Sequence, residues 1–384
     1  MRYISSRLLA VVFLFCSLIC GAEEKGYVPD TGRYVNPRMK VLAEEDRGKY
    51  VCQLIEYSVD NSHVDCKGRK VKGSERIQGY LLLPDAARKG KCPAILMLHD
   101  HGARFDIGKE KLVRPIASVL SDGAEDHIMR SSEQWTYKYF DGVYLADSLA
   151  ASGYVVLVSD ALYWGSRSTE ATQRLSELSY GGPSEVVMDK AARKELSNRL
   201  KKQIYEGQRD VYDSLQNRGV IWAEKILRDD VAAARLLAGL SFVDENRVGA
   251  FGFSMGAHRC WLLAAFCDSV KYGVALSWMA ALESYQGTHA SDCSMRIQPM
   301  RDYMDFGDIG MYLAPKPMLF LNGDSDHLFS QEQVQIAFRK LHGHYSANPA
   351  TTEGILRTEF FEGGHYCGKS VQKTIVSFFD SYSK

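Results

Sequence analysis

The chain has 384 residues, 46% hydrophobic and 24% charged, which is the balance of a globular protein with a sizeable core. Basic and acidic residues both number 47, so the electrostatic footprint of a nucleic-acid-binding protein is missing and no such partner is expected. The length suits one large α/β domain or two modest ones.

Residues 1–22 read as a signal peptide. Arg2 and Arg7 make a positive n-region, Leu8–Ile19 is an apolar core of twelve residues, and Cys20-Gly21-Ala22 supplies small residues before Glu23. Twelve residues are too few to span a bilayer, which takes ~20, so no membrane span is expected. The protein is therefore expected to be exported, periplasmic or secreted, with cleavage after Ala22. Lipid anchoring at Cys20 is the rival reading, but it would put Ile19 where a small residue is wanted. Without Arg2 and Arg7 the balance is 45 basic against 47 acidic residues.

Beyond the leader stand seven cysteines, an odd number for an oxidising compartment. Cys260 and Cys267 fall on one predicted helix about 10 Å apart, beyond the ~7 Å Cα separation a disulfide tolerates. Cys52 and Cys66 flank the turn-like Val59-Asp60-Asn61-Ser62 and are the better candidates for a bridge. No CxxC occurs, so no structural zinc is expected.

Residues 23–75 are polar and irregular, with a hairpin at 50–66, and read as an N-terminal extension to a domain spanning 76–384. A strand over 77–84 stops at Pro84. The continuous apolar run 92–100 is of the kind buried on both faces of a parallel sheet. Apolar spacing predicts a helix over 142–153 closing on Gly153, then a buried strand over 154–160. Residues 163–228 are charged and helical in stretches, an insertion that could cover a site. A core-facing helix over 229–240 follows, then strands at 247–253, 272–279 and 316–323. A helix over 331–341, a last strand over 356–364 and a final helix from Lys369 complete the chain. Strands alternating with helices predict an α/β fold, a doubly wound and mostly parallel sheet carrying a helical insertion.

The strand over 247–253 ends in Gly252-Phe253-Ser254-Met255-Gly256. A serine on a sharp strand-to-helix turn crowds the positions two before and two after it, and glycine at both removes the clashing Cβ atoms. Such a turn lifts Oγ clear of the sheet and aims the N–H of Met255 at a carbonyl oxygen. Serine needs a base. Of ten histidines, His365 in Glu362-Gly363-Gly364-His365 follows the last strand, where the base belongs. His342 and His344 sit near a helix end, and His258 lies one turn into the elbow helix with a packing or capping role. An orienting carboxylate should follow the strand between, where the spacing from Gly323 selects Asp326, with Asp324 as runner-up. The order Ser254, Asp326, His365 is that of an α/β-hydrolase triad. The second oxyanion donor is expected from His99-Asp100-His101-Gly102-Ala103, with the N–H of His101 preferred and Ala103 as the alternative. His-x-His is also a metal-ligand pattern, but Gly102, Ala103 and Arg104 stand where further ligands would be needed. No cofactor or metal is expected.

These segments, with Ser159–Arg167 and Ala314–Asp326, resemble the α/β-hydrolase superfamily, nearest its dienelactone hydrolase and acetyl xylan esterase branch. The resemblance covers about four-fifths of the chain, from 77 to 384. It implies hydrolysis of carboxylic esters, with acetyl groups on carbohydrates as the substrate class. The sequence departs from the usual pattern at Asp100, where glycine is usual, and in the insertion. A peptidase of the same fold and a silent binding protein on the same scaffold are the rival readings.

Overall fold

A computed structural model describes residues 27–32, 37–64, 68–119, 126–181, 188–281 and 297–383. The leader, its cleavage site, Cys20 and Cys66 lie outside the described residues. Among the described residues no helix is long and apolar enough to cross a membrane.

The core is a nine-stranded sheet. Its strands are β1 (Met39–Asp46), β2 (Tyr50–Asp60), β3 (Ser74–Pro84), β4 (Cys92–Leu98), β5 (Val155–Ser159), β6 (Val243–Phe253), β7 (Tyr272–Leu276), β8 (Met318–Gly323) and β9 (Leu356–Phe361). They stand in the spatial order β1-β2-β3-β5-β4-β6-β7-β8-β9. The first three strands are antiparallel, and the six from β5 to β9 run parallel. The mostly parallel, doubly wound sheet is thus as expected.

Side-chain alternation feeds two cores. Ala94, Leu96 and Leu98 of β4, with Val248 and Ala250 of β6, face helices α5 (Trp222–Ala238), α6 (Met255–Phe266) and α7 (Gln331–Ala347). Ile95, Met97, Phe251 and Phe253 face α1 (Asp126–Phe140), α2 (Leu145–Ala151) and α8 (Lys369–Ser383). The insertion supplies α3 (Glu170–Tyr180) and the 28-residue α4 (Lys190–Asn217). Asp189 caps α4, its carboxylate accepting from the N–H groups of Ala191 and Ala192.

Two readings change. Residues 39–60, expected to be irregular apart from a hairpin at 50–66, form β1 and β2 and extend the main sheet, and β2 pairs with β3 along its whole length. The hairpin at 50–66 is replaced by this long β2–β3 pair, in which Cys52 stands opposite Leu82. Cys52 is a free, buried thiol facing the α2 and α8 side of the sheet, not half of a bridge. Burial pushes its thiol up to about 12, against the pull of the Arg47 guanidinium.

A thiol so raised carries almost no thiolate at pH 8. Iodoacetamide at that pH should leave Cys52 unmodified in the folded protein and modify it in denaturant, as read by peptide mapping. Alkylation of Cys52 at equal rates in both states would contradict its placement.

Candidate active site

Ser254 stands between β6 and α6 with φ 55° and ψ −123°, a region that costs an L-residue ~1–3 kcal/mol. Its N–H donates to Leu276 O at 2.8 Å, and its carbonyl accepts from Ala257 at 2.8 Å and His258 at 3.3 Å, which starts the helix. A Cβ on Gly252 would lie 1.8 Å from Gly256 O, and one on Gly256 only 1.9 Å from Leu98 O. Both glycines are therefore required by backbone, not by flexible side chains. The N–H of Met255 opens α6, where no intrahelical acceptor exists.

His365 follows β9 on a loop fastened from several sides. Cys367 N donates to Tyr139 O at 2.9 Å, Tyr366 Oη donates to Asp141, and Lys369 N donates to Asp141 Oδ2 at 2.8 Å. Asp326 Oδ2 lies 2.8 Å from His365 Nδ1, and its Oδ1 accepts from Leu328 N at 2.8 Å. A carboxylate only accepts, so Nδ1 carries the hydrogen and Nε2 keeps its lone pair. The His365 ring packs 4.9 Å from that of Phe253, the residue before Ser254. Asp324 instead accepts the N–H of Gly363 at 3.0 Å and braces the loop. The structure thus brings Asp326 to His365 and sets both beside the elbow.

The loop after β4 lies against the start of α6. His99 is fully buried, with Nδ1 donating to Asp100 O at 2.9 Å and Nε2 accepting from Ala161 N at 3.0 Å. Both ring nitrogens serve protein groups, so His99 and His101 do not act as a ligand pair. Among the described residues no group of three His, Cys, Asp or Glu side chains could hold a metal ion. The His101 ring packs edge-on to Trp164 at 4.9 Å and Phe105 at 5.3 Å, and its carbonyl accepts from Trp164 Nε1 at 3.1 Å. Trp164, Phe105, Tyr163 and Met255 share one apolar cluster with Ile204 and Leu215 of α4. The insertion therefore packs over the loop after β4 and the residue after Ser254.

Several charged pairs beneath this site were not legible in the sequence. Asp100 accepts from Trp135 Nε1 at 3.2 Å and faces Lys111 Nζ at 3.5 Å. Asp160, closing β5, accepts from Lys109 N at 2.8 Å and Lys109 Nζ at 2.7 Å. Arg259 on α6 grips Asp230 at 2.7 and 3.0 Å and reaches His99 O at 3.3 Å. The one available signal was charge inside apolar runs, as at Arg259 and Asp230. His258 packs among Trp261, Trp278 and Phe306, as expected, and His344 bonds Asp308 at 3.1 Å near the end of α7.

Burial holds His99 and His258 well below the ordinary histidine value, aided by the nearby guanidinium of Arg259 for His99 and of Arg301 for His258. Both are neutral in the folded protein yet titrate near 6.5 when unfolded, so the unfolded chain binds more protons below that pH. Their contribution is fully present above ~6.5 and is lost as pH falls, each by up to ~1.4 kcal/mol per pH unit. Urea denaturation between pH 7 and 5 should show this loss, with a shallower slope in His258→Phe. An unchanged slope in that variant would remove His258 from the account.

No protein-family model matches the chain. Among curated proteins it is similar to one described as "Putative hydrolase YtaP" of Bacillus subtilis (strain 168), with 24% identity over 315 residues, 81% of this chain and 85% of that one. Among solved structures it is similar to a glucuronoyl esterase from Solibacter usitatus, with a TM-score of 0.54 and 12% identity, covering 94% of this chain and 88% of the other. A structure described as a "putative acetyl xylan esterase" from Bacteroides fragilis NCTC 9343 matches with a TM-score of 0.53 and 15% identity, over 94% and 83% of the two chains. The strand order, the crossovers and these structural neighbours together show the α/β-hydrolase fold.

Proposed function

We propose that this chain is an exported serine hydrolase that cleaves carboxylic esters, with short acyl groups on carbohydrates as its substrates. The observation that carries the reading is the His365–Asp326 pair packed on Phe253, next to a serine in strained elbow geometry. The esterases among its structural neighbours support the ester class, and the leader read in residues 1–22 supports export.

In this reading Ser254 Oγ attacks the ester carbonyl while His365 Nε2 takes its proton. Asp326 keeps the hydrogen on Nδ1 and stabilises the imidazolium that forms. The tetrahedral oxyanion is received by the N–H groups of Met255 and His101. As the intermediate collapses, His365 gives its proton to the departing alcohol, leaving an acyl group on Ser254. Water then enters, gives a proton to His365 and repeats the sequence, releasing the carboxylic acid and restoring the serine.

Ser254→Ala should lower kcat for an aryl acetate by ~10⁶ at unchanged fold, and a serine-reactive phosphonate should label only the wild type in intact-mass measurements. Activity within tenfold of wild type would overturn the nucleophile. Asp326→Asn should cost ~10⁴ in kcat by holding the wrong imidazole tautomer. Asp324→Asn should cost mainly stability, ~0.5–2 kcal/mol, as the loss of a local cap does. Rate losses in the reverse order would make Asp324 the triad acid.

For the substrate class, aryl acetate should be cleaved faster than aryl octanoate, and acetylated xylan should release acetate measurable by enzymatic assay. A preference for octanoate or for aminoacyl amides would reject short acyl esters.

A further inference from the structure

We infer that Lys111 is a positioning residue that sets the direction of the oxyanion-loop N–H groups by holding the carbonyl oxygens of Asp100 and His101 away from Ser254. The inference rests on the serine-hydrolase reading above. Lys111 is fully buried, and its ammonium has three hydrogens to place. It lies 2.8 Å from Asp100 O, 2.9 Å from His101 O and 3.5 Å from Asp100 Oδ2. These are two successive peptide carbonyls and the side-chain carboxylate of the first residue.

Planarity makes the contact directional. In a trans peptide the carbonyl of one residue and the N–H of the next point in opposite directions. With Asp100 O on Lys111, the N–H of His101 points away from the ammonium; with His101 O there, the N–H of Gly102 does the same. Trp164 Nε1 holds His101 O from the insertion side at 3.1 Å, so that plane is held twice. The loop lies at the elbow, because Gly256 sits against the backbone oxygens of Leu98 and His99.

The anchor itself is held firmly. Lys111 ends a single helical turn, Lys109–Lys111, whose first residue is tied to Asp160 through both N and Nζ. Ser132 Oγ on α1 donates to Glu110 O at 2.5 Å, fixing the turn from the other side. The Trp135 ring lies 5.0 Å from Lys111 Nζ, and its Nε1 donates to Asp100 Oδ1. A buried ammonium on neutral carbonyls alone would be costly, and the adjacent carboxylate balances its charge.

The test uses Lys111→Met and the double variant Asp100→Asn/Lys111→Met, which leaves no lone carboxylate buried. Competent sites are counted by phosphonate titration of Ser254, and kcat is expressed per site with an aryl acetate. We expect kcat per site to fall about 100-fold in both variants, with KM within about threefold. Inhibition by an aryl boronic acid, whose adduct on Ser254 is tetrahedral and anionic, should weaken by the same factor. A purely structural lysine would reduce the number of titratable sites and the melting temperature but leave kcat per site and boronate affinity unchanged, which would overturn the inference. A wild type that no phosphonate labels overturns this role and the serine reading together. Should neither variant fold, wild-type amide spectra decide. Boronate must move the His101 or Gly102 amide proton downfield, and unmoved amides would overturn the role.

Discussion

The start of α6 approaches the end of β4 so closely that backbone oxygens fill the space where Cβ atoms would stand. Glycine at 256 is the only side-chain choice compatible with that contact, and glycine at 252, whose Cβ would meet Gly256 O, the only one compatible with the turn itself. The contact in turn holds Ser254 in a backbone region that few L-residues enter. Such strain persists only where the surroundings over-determine it. Here β6 is central in the sheet, with Val248 and Ala250 packed into one core and Phe251 and Phe253 into the other. The hydrophobic cores thus sustain the bend that exposes the hydroxyl.

A second layer beneath the site is ionic. Asp160 with Lys109, Asp100 with Lys111 and Asp230 with Arg259 are all buried. Pairs of this kind recover little net stability, because desolvation offsets their attraction, yet removing one partner costs ~3–5 kcal/mol. What they supply here is direction. The first two tie a strand end or loop to the turn at Lys109–Lys111, and Arg259 joins α5, α6 and the carbonyl of His99 in one contact set. The insertion adds to the same framework. Ile204 and Leu215 of α4 close the cluster that buries Trp164, and the indole of Trp164 donates to the His101 carbonyl on the loop after β4.

Legibility followed from how local each cause was. The elbow was readable because a strained turn leaves glycines at set distances, and the central strands because burial on both faces gives unbroken apolar runs. β2 was not readable, since its first half buries Tyr50, Cys52 and Leu54 on one side and its second half Ile55, Tyr57 and Val59 on the other. α1 hid for a related reason. Its inward positions include Ser131, Ser132 and Thr136, hydroxyls that satisfy buried groups and blur the helical apolar period.

By itself the sequence determined the alternation of strands and helices from β3 onward apart from α1, the serine elbow and the positions of the histidine and acid loops. These are consequences of backbone sterics and apolar periodicity, which act over a few residues. The spacing from Gly323 favoured Asp326, but only the tertiary structure showed it meeting His365 while Asp324, two residues away on one loop, turns to the N–H of Gly363. It alone joined Asp100 to Lys111 and brought the insertion onto the loop after β4. Charge pairing depends on separation in space after the sheet has closed, and no local pattern of residues encodes that distance.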